Sequence, residues 1–210
     1  MLAEIVENIS WLGHDGFMIK ADDKIVTIDP YQVATVEPAD ILLITHVHHD
    51  HCSPEDVDKL KNDSTVIVTE PESAEQLSGD IRIMKPGDSI EVNGIKIEAV
   101  AAYNTNKKFH PKEKNWLGFI VTLGGCRIYH AGDTDLIEEM ADLNVDIALL
   151  PVSGTYVMTA EEAVEAAKRI KPKIAIPMHY DSLVGSEVDA RAFAQGLEGI
   201  CEVKLIRRII

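Results

Sequence analysis

The sequence predicts an α/β protein with two mixed sheets covered by helices, and three observations carry that expectation. Two stretches alternate apolar and polar residues on either side of a glycine-bearing turn, which is hairpin chemistry. Three short apolar runs stop abruptly in polar loops, as buried strands do. Between them lie segments with helix start signals. Hairpins together with strand–helix units imply two sheets with helices packed over them.

The elements follow in chain order. The first thirty residues read as strands, with Phe17, Ile19, Ile25 and Ile28 among their apolar positions. DILLITH (40–46) is a buried-strand run ending on a histidine. Ser53-Pro54-Glu55-Asp56 then offers an N-cap, a proline at the first helical position and an acid three residues past the cap. SIEVNGIKIEAV (89–100) turns at Asn93-Gly94, a pair that tolerates positive φ at both central positions. FIVTLGGCRIYH (119–130) repeats the pattern around Gly124-Gly125. Asp135 can cap a helix carrying Leu136, Met140 and Leu143. DIALLPVS (146–153) is a second buried run and resembles the first, each with an Asp-Ile start and a Leu-Leu pair. Thr159-Ala160-Glu161-Glu162 is a capping box, followed by Ala163, Val164, Ala167 and Ile170 at helical spacing and stopped by Pro172. KIAIPMHY (173–180) is the third buried run and ends on His179.

At 210 residues the chain is expected to form one domain over 1–210, built as two related halves. Its composition, 46% hydrophobic and 26% charged, is that of a globular protein. No apolar run approaches the ~20 residues that span a bilayer, and the start MLAEIVENISW lacks the basic flank and apolar core of a leader. The net charge of −15 opposes nucleic-acid binding, which needs cationic side chains against phosphates. Lys107, Lys108, Lys112 and Lys114 around His110 form either a solvated loop or a local basic spot. Three cysteines, Cys52, Cys126 and Cys201, are an odd count without short spacing, which suggests reduced thiols and a cytoplasmic setting. A small-molecule substrate, no nucleic acid and no membrane are the expected partners, with assembly into a homo-oligomer left open.

THVHHDHCSP (45–54) holds four of the eight histidines. Four imidazoles within six residues contribute little to a core and repel one another when protonated; a metal relieves both problems. Imidazole nitrogens with a carboxylate suit Zn, Fe, Mn, Ni or Co. Such a site needs ligands from other strand ends, and Asp133 in HAGDTD and His179 stand at such ends. His110 lies in a loop before the strand near Trp116.

His46-Val47-His48-His49-Asp50-His51 resembles the HxHxDH signature of the metallo-β-lactamase superfamily, and the likeness extends over essentially the whole chain. Asp29 after KIVTID is similar to the family's early aspartate, Gly132-Asp133 to its bridging-aspartate motif and His179 to its last histidine. WLGHDGF (11–17) resembles the small branch that includes ascorbate-phosphate lactonase-like proteins. The resemblance implies a four-layer αβ/βα sandwich, the metallo-β-lactamase fold. It implies two divalent ions, Zn first with Mn or Fe as alternatives. His46, His48 and His110 would hold one and Asp50, His51 and His179 the second, with Asp133 bridging. His110 stands in KKFHPKEKN rather than in the compact glycine-flanked motif usual there, with a substrate-facing or structural role as its alternative. Asp29 would bond the ligand loop or a ligand imidazole, and His49 would point away. His130 reads as a core or supporting residue, and Cys52 as a buried thiol beside the site.

The expected activity is that of a metal-dependent hydrolase using a metal-bound hydroxide on a small-molecule ester, lactone or phosphoester. Two divalent cations about 3.5–4 Å apart share a water and lower its pKa towards ~7. Asp133 and Asp50 are the expected catalytic residues, Asp50 orienting the nucleophile or assisting proton transfer. His14, Tyr156 and Tyr180 are the candidates for lining the substrate side. Two rivals stand beside this reading: a mononuclear iron oxidoreductase of the same fold acting on sulfur compounds, and a non-catalytic metal- or metabolite-binding module. Flavodiiron-type centres fit less well, since their pattern puts a glutamate where this chain has His48.

Overall fold

A computed structural model describes residues 2–34, 37–141 and 143–209. Its first half builds one sheet and its second half another, each from consecutive chain. In the first, β1 (Ile9–Gly13), β2 (Gly16–Ala21) and β3 (Lys24–Ile28) form an antiparallel meander. From β3 the sheet continues parallel through β4 (Ile41–Leu43), β5 (Val66–Thr69) and β6 (Asp80–Ile83). The second sheet repeats the plan. β7 (Ser89–Val92), β8 (Ile95–Ala101), β9 (Leu117–Leu123) and β10 (Cys126–His130) run antiparallel. β11 (Ile147–Pro151), β12 (Ile174–Met178) and β13 (Glu202–Val203) then add in parallel. The likeness of DILLITH and DIALLPVS thus marks equivalent positions, β4 and β11, each a strand in the parallel part of its sheet.

The two hairpin turns form as their sequences require. Asn93 and Gly94 take φ of 52° and 80° between the paired Val92 and Ile95, and Gly124 and Gly125 take 57° and 71° between Leu123 and Cys126. The helix α1 (Leu2–Glu7) precedes β1. Ser53 caps α2 (Pro54–Leu60), its hydroxyl accepting from the Asp56 amide at 3.3 Å, and the short α3 (Pro71–Ala74) follows β5. Thr159 and Glu162 close the capping box of α4 (Ala160–Ile170) at 3.2 and 2.9 Å. The chain leaves α4 through Lys171, whose φ is 55°.

Alternation along the strands sorts side chains into layers. Ile41 and Leu43 join Phe17, Ile19, Phe119 and Val121 in the core shared by both sheets. Leu42 and Ile44 point the other way, onto Val57 and Leu60 of α2. Ala163, Ala167 and Ile170 of α4 complete the main core with β11 and β12. The result is helix, sheet, sheet, helix: the four-layer αβ/βα sandwich expected from the sequence. Each fully buried Leu or Ile contributes roughly 1.5–3 kcal/mol of transfer free energy, so this patterning dominates the choice of layers.

Two expected elements are corrected. Residues 2–7, within the opening stretch read as strands, form the helix α1 instead. Asp135 caps no helix; residues 138–140 form a single 3-10 turn. Its carboxylate is occupied instead by the Thr105 and Asn106 amides at 2.8 and 3.2 Å and by the Lys107 ammonium at 2.6 Å. Ile137 is extended, which stops any helix from starting at Asp135. Among the helices not expected from sequence, α5 (Glu187–Gly196) has its own Ser186–Asp189 capping box. Only Ala190 and Phe193 of it are buried, so its apolar stripe is too sparse to announce a helix. None of the helices in the described residues is long and apolar enough to cross a membrane.

Candidate metal centre

The histidines and aspartates singled out above gather at one end of the two sheets, just past the strands' carboxyl ends. Ligand sites of α/β sheets form there because the loops, not the strands, are free to carry polar groups. β4 runs through Ile44 into Thr45 and His46, β10 runs through Ala131 and Gly132 into Asp133, and β12 ends directly before His179. The loops are pinned to one another. The His179 amide donates to the His14 carbonyl at 3.1 Å, and the Leu117 amide donates to the Thr45 carbonyl at 3.0 Å. Three site residues without the freedom of glycine, His14, Asp29 and His179, sit at φ of 50°, 42° and 59°. Such backbone is retained where packing over-determines it, and it clusters at functional sites. Gly132 is required outright: at φ 62° a Cβ would stand 2.6 Å from the Leu117 carbonyl oxygen.

Among the described residues, ligand atoms of His46, His48 and His110 all lie within 4.8 Å of one another, as do those of Asp15, His51, Asp133 and His179. His46 Nε2 and His48 Nδ1 are 3.0 Å apart. Asp133 joins the two groups. Its Oδ2 is 3.1 Å from His110 Nε2 and 3.4 Å from His179 Nε2, and its Oδ1 is 3.4 Å from His51 Nε2. Trp116 walls the first group, with ring centroids 4.9, 4.8 and 5.5 Å from His46, His48 and His110.

Four of the imidazoles are oriented from behind. Asp29 Oδ2 accepts from His51 Nδ1 at 2.9 Å and from the Thr45 hydroxyl at 2.5 Å, while Oδ1 accepts from the Thr45 amide at 2.8 Å. The Thr45 hydroxyl, having given its proton to Asp29, accepts from His46 Nδ1 at 3.0 Å. Asn104 Oδ1 lies 3.2 Å from His110 Nδ1, and Ser153 Oγ lies 2.9 Å from His179 Nδ1. Acceptor oxygens behind His46, His51 and His110 place a proton on Nδ1, so each of these rings, when neutral, turns the Nε2 lone pair to the site, and Ser153 anchors His179 Nδ1 as donor or acceptor.

Those inward atoms are the test of whether a metal fits. Nε2 of His51, His110 and His179 and Oδ1 of Asp133 are buried and make no hydrogen bond. Buried polar atoms are nearly always partnered, so a convergent set of unpartnered imidazole nitrogens and carboxylate oxygens fits divalent cations well.

In the metal-free protein the electrostatics divide the two groups. Burial holds His46 well below the ordinary imidazole pKa and lowers His48, keeping both rings as neutral donors at pH 7. Burial also opposes charge on His51, but the Asp133 and Asp29 carboxylates outweigh it and lift its pKa well above the usual value. His179 is raised for the same reason, chiefly by Asp133 and Asp15. Asp133 resists its own burial through the neighbouring His179 and His51 rings, which hold it well below the carboxylate range.

The other sequence candidates fall as follows. Asp50 faces the open side, 16% exposed, with Oδ2 3.1 Å from His14 Nε2 and 3.9 Å from His51 Nε2. His14 is buried against His179 at 4.2 Å between centroids rather than lining an open surface. Tyr156 is partly exposed and stands edge-on to Phe109 at 4.7 Å. Tyr180 stacks on Trp11 at 4.7 Å and borders a different cavity, beside Glu187 and Arg208, because the chain turns away after His179. His49 is 79% exposed. Both nitrogens of His130 are engaged, Nε2 with the Asp15 carbonyl at 2.8 Å and Nδ1 with the Gly132 amide at 3.2 Å, which leaves no donor for a metal. Cys52 is buried, and burial pushes its thiol up to about 11. Sequence reasoning passed over Asp15, although it adjoins His14 in the quoted WLGHDGF, and found no signal for Asn104 or Ser153.

Comparison with known proteins identifies the family. Residues 8–179 match the family model described as the beta-lactamase superfamily domain. A UPF0173 metal-dependent hydrolase of Thermoplasma acidophilum is 38% identical over 201 residues, covering 88% of each chain. A Parabacteroides distasonis crystal structure with a provisional metal-dependent hydrolase name superposes with a TM-score of 0.86 at 36% identity, over 96% of this chain and 93% of the other. Igni18, a metallo hydrolase of Ignicoccus hospitalis, gives 0.78 at 26% identity, over 95% and 94%. The match over most of the chain, in sequence and in fold, shows that this protein belongs to the metallo-β-lactamase superfamily, among its UPF0173 metal-dependent hydrolases.

Proposed function

We propose that this protein hydrolyses a small-molecule ester, lactone or phosphoester, using two divalent cations. His46, His48 and His110 would hold one, and His51, His179 and Asp50 the other, with Asp133 between them. The observation that carries the reading is the Asp133 carboxylate, within 3.4 Å of imidazoles from both groups. Zinc suits so imidazole-rich a set, with manganese or iron as alternatives. Cations in such a pair supply Lewis acidity and make water a competent nucleophile near neutral pH.

The chain's own residues do the rest. Asp29, Thr45, Asn104 and Ser153 hold Nδ1 of His51, His46, His110 and His179, so that with a cation bound the opposite nitrogens turn their lone pairs inward. Asp50, on the open side, takes a proton from the attacking water or returns one to the leaving group. Trp116 and its neighbours keep bulk water from one flank, which strengthens the charges within. The net charge of −15 favours a small substrate over a polyanionic nucleic acid.

Elemental analysis of the purified protein, followed by phosphodiester, lactone and thioester substrates, tests the reading. Two zinc or manganese ions per chain with turnover of one class supports it. A single iron with oxygen consumption, or turnover that survives Asp133→Ala, would replace it.

A further inference from the structure

Asp15 is a residue for which the two-cation reading has no use. It sits in the turn between β1 and β2, fully buried, and neither of its carboxylate oxygens has a hydrogen-bond partner. An ionised carboxylate in that state is expensive to bury, because it gives up its hydration for nothing. Its position is nevertheless fixed. The Asp15 carbonyl accepts from His130, and the preceding residue's carbonyl accepts from the His179 amide. The turn is thereby held against the end of β12, and the side chain cannot swing out to solvent without breaking those bonds.

What surrounds it is equally unsatisfied. Ligand atoms of Asp15, His51, Asp133 and His179 lie within 4.8 Å of one another. His51 Nε2, His179 Nε2 and Asp133 Oδ1 make no hydrogen bonds either. Asp50, meanwhile, has one carboxylate oxygen engaged by His14 Nε2 at 3.1 Å. A cation satisfies such a set of acceptor lone pairs together, whereas hydrogen bonds among them leave each one unmet.

We propose that Asp15 is a direct ligand of the second cation, supplied from the β1–β2 turn beside His51, His179 and Asp133 and adding to the Asp50 carboxylate on the open side. This inference rests on the two-cation reading. It makes the second position richer in carboxylate than the first.

The test is cobalt(II) titration of the metal-free full-length protein, wild type against Asp15→Asn, with Asp15→Ala as the alternative should the amide itself ligate. Equilibrium dialysis gives the stoichiometry and the visible d–d spectrum reports each ion's coordination. Wild type is expected to take two ions. The variant is expected to take the first unchanged, to lose at least about tenfold in affinity for the second, and to change the second ion's band. Its metal-free melting temperature should change little, since the burial of an unpartnered carboxylate offsets the support that its charge gives His179; a fall as large as that of a core truncation would mark a structural role and overturn the assignment. Two ions bound as tightly as in wild type would overturn it. So would a weakened second ion with an unaltered band, which would make Asp15 a positioning residue. Failure of wild type to take a second ion would instead bring down the two-cation reading itself.

Discussion

Asp29→Asn is a near-isosteric change that asks what a buried carboxylate does when it touches no substrate. Asp29 receives three hydrogen bonds, from the Thr45 amide on one oxygen and from the Thr45 hydroxyl and His51 Nδ1 on the other. Asparagine offers one acceptor and one donor in their place. With its oxygen towards the Thr45 amide, its NH2 meets His51 Nδ1, and that nitrogen must give up its proton. The proton then resides on Nε2, the atom 3.4 Å from Asp133. With the amide turned round, His51 is kept but two N–H groups face each other at Thr45. Either way one buried polar contact is unmade, at about 1–3 kcal/mol. For a chain of this size that lowers the metal-free melting temperature by roughly 2–12 °C. The first orientation also removes a lone pair from the site, and a partner of this kind is worth about 10–100-fold in metal affinity. Zinc competition against a chromophoric chelator, beside calorimetry of the metal-free protein, reads both quantities. A folded variant with wild-type zinc affinity would refute the claim that Asp29 sets the His51 tautomer.

Three further outcomes are expected. Gly132→Ala places a methyl group 2.6 Å from the Leu117 carbonyl oxygen at φ 62°; denaturant unfolding should show a loss of about 2–4 kcal/mol from overpacking and left-handed strain. Leu42→Ala opens the packing between the first sheet and α2, where Leu42 is fully buried, and should cost about 2–5 kcal/mol by the same assay while leaving zinc affinity unchanged. The third concerns pH. The Arg127 amide and the Lys173 ammonium hold the Asp146 carboxyl below its ordinary value. A lowered folded pKa gives stability that is present above the unfolded value near ~3.9 and is lost as pH falls through the folded one. Wild type should therefore exceed Asp146→Asn in stability at pH 6, and the gap should close as pH falls below about 4. A gap independent of pH would show that the charge on Asp146 is not what matters.

Local chemistry was readable from the sequence wherever one short segment decides the outcome. Asn93-Gly94 and Gly124-Gly125 leave the backbone few choices, and Thr159 with Glu162 satisfies a helix start without help from the rest of the chain. The histidine cluster was legible because four imidazoles in six residues have few other uses. What escaped depended on partners distant in sequence. Asp135 reads as a cap until the loop at 104–107 folds back to claim its carboxylate. Tyr180 adjoins His179 in sequence, yet its ring packs on Trp11, some 170 positions earlier in the chain. Asn104 and Ser153 carry no motif; each matters because a loop brings it behind one imidazole. Asp15 was in plain view beside His14, but only the absence of any partner for its oxygens makes it conspicuous.

The central claim is that the two groups of side chains meeting at Asp133 each hold a cation. Crystals of the protein grown with zinc, with anomalous data collected on both sides of the metal's absorption edge, address it directly. The account expects two peaks flanking the Asp133 carboxylate, one among His46, His48 and His110 and the other beside His51 and His179. A fully loaded protein whose anomalous density lies elsewhere, with these imidazoles empty, would contradict it.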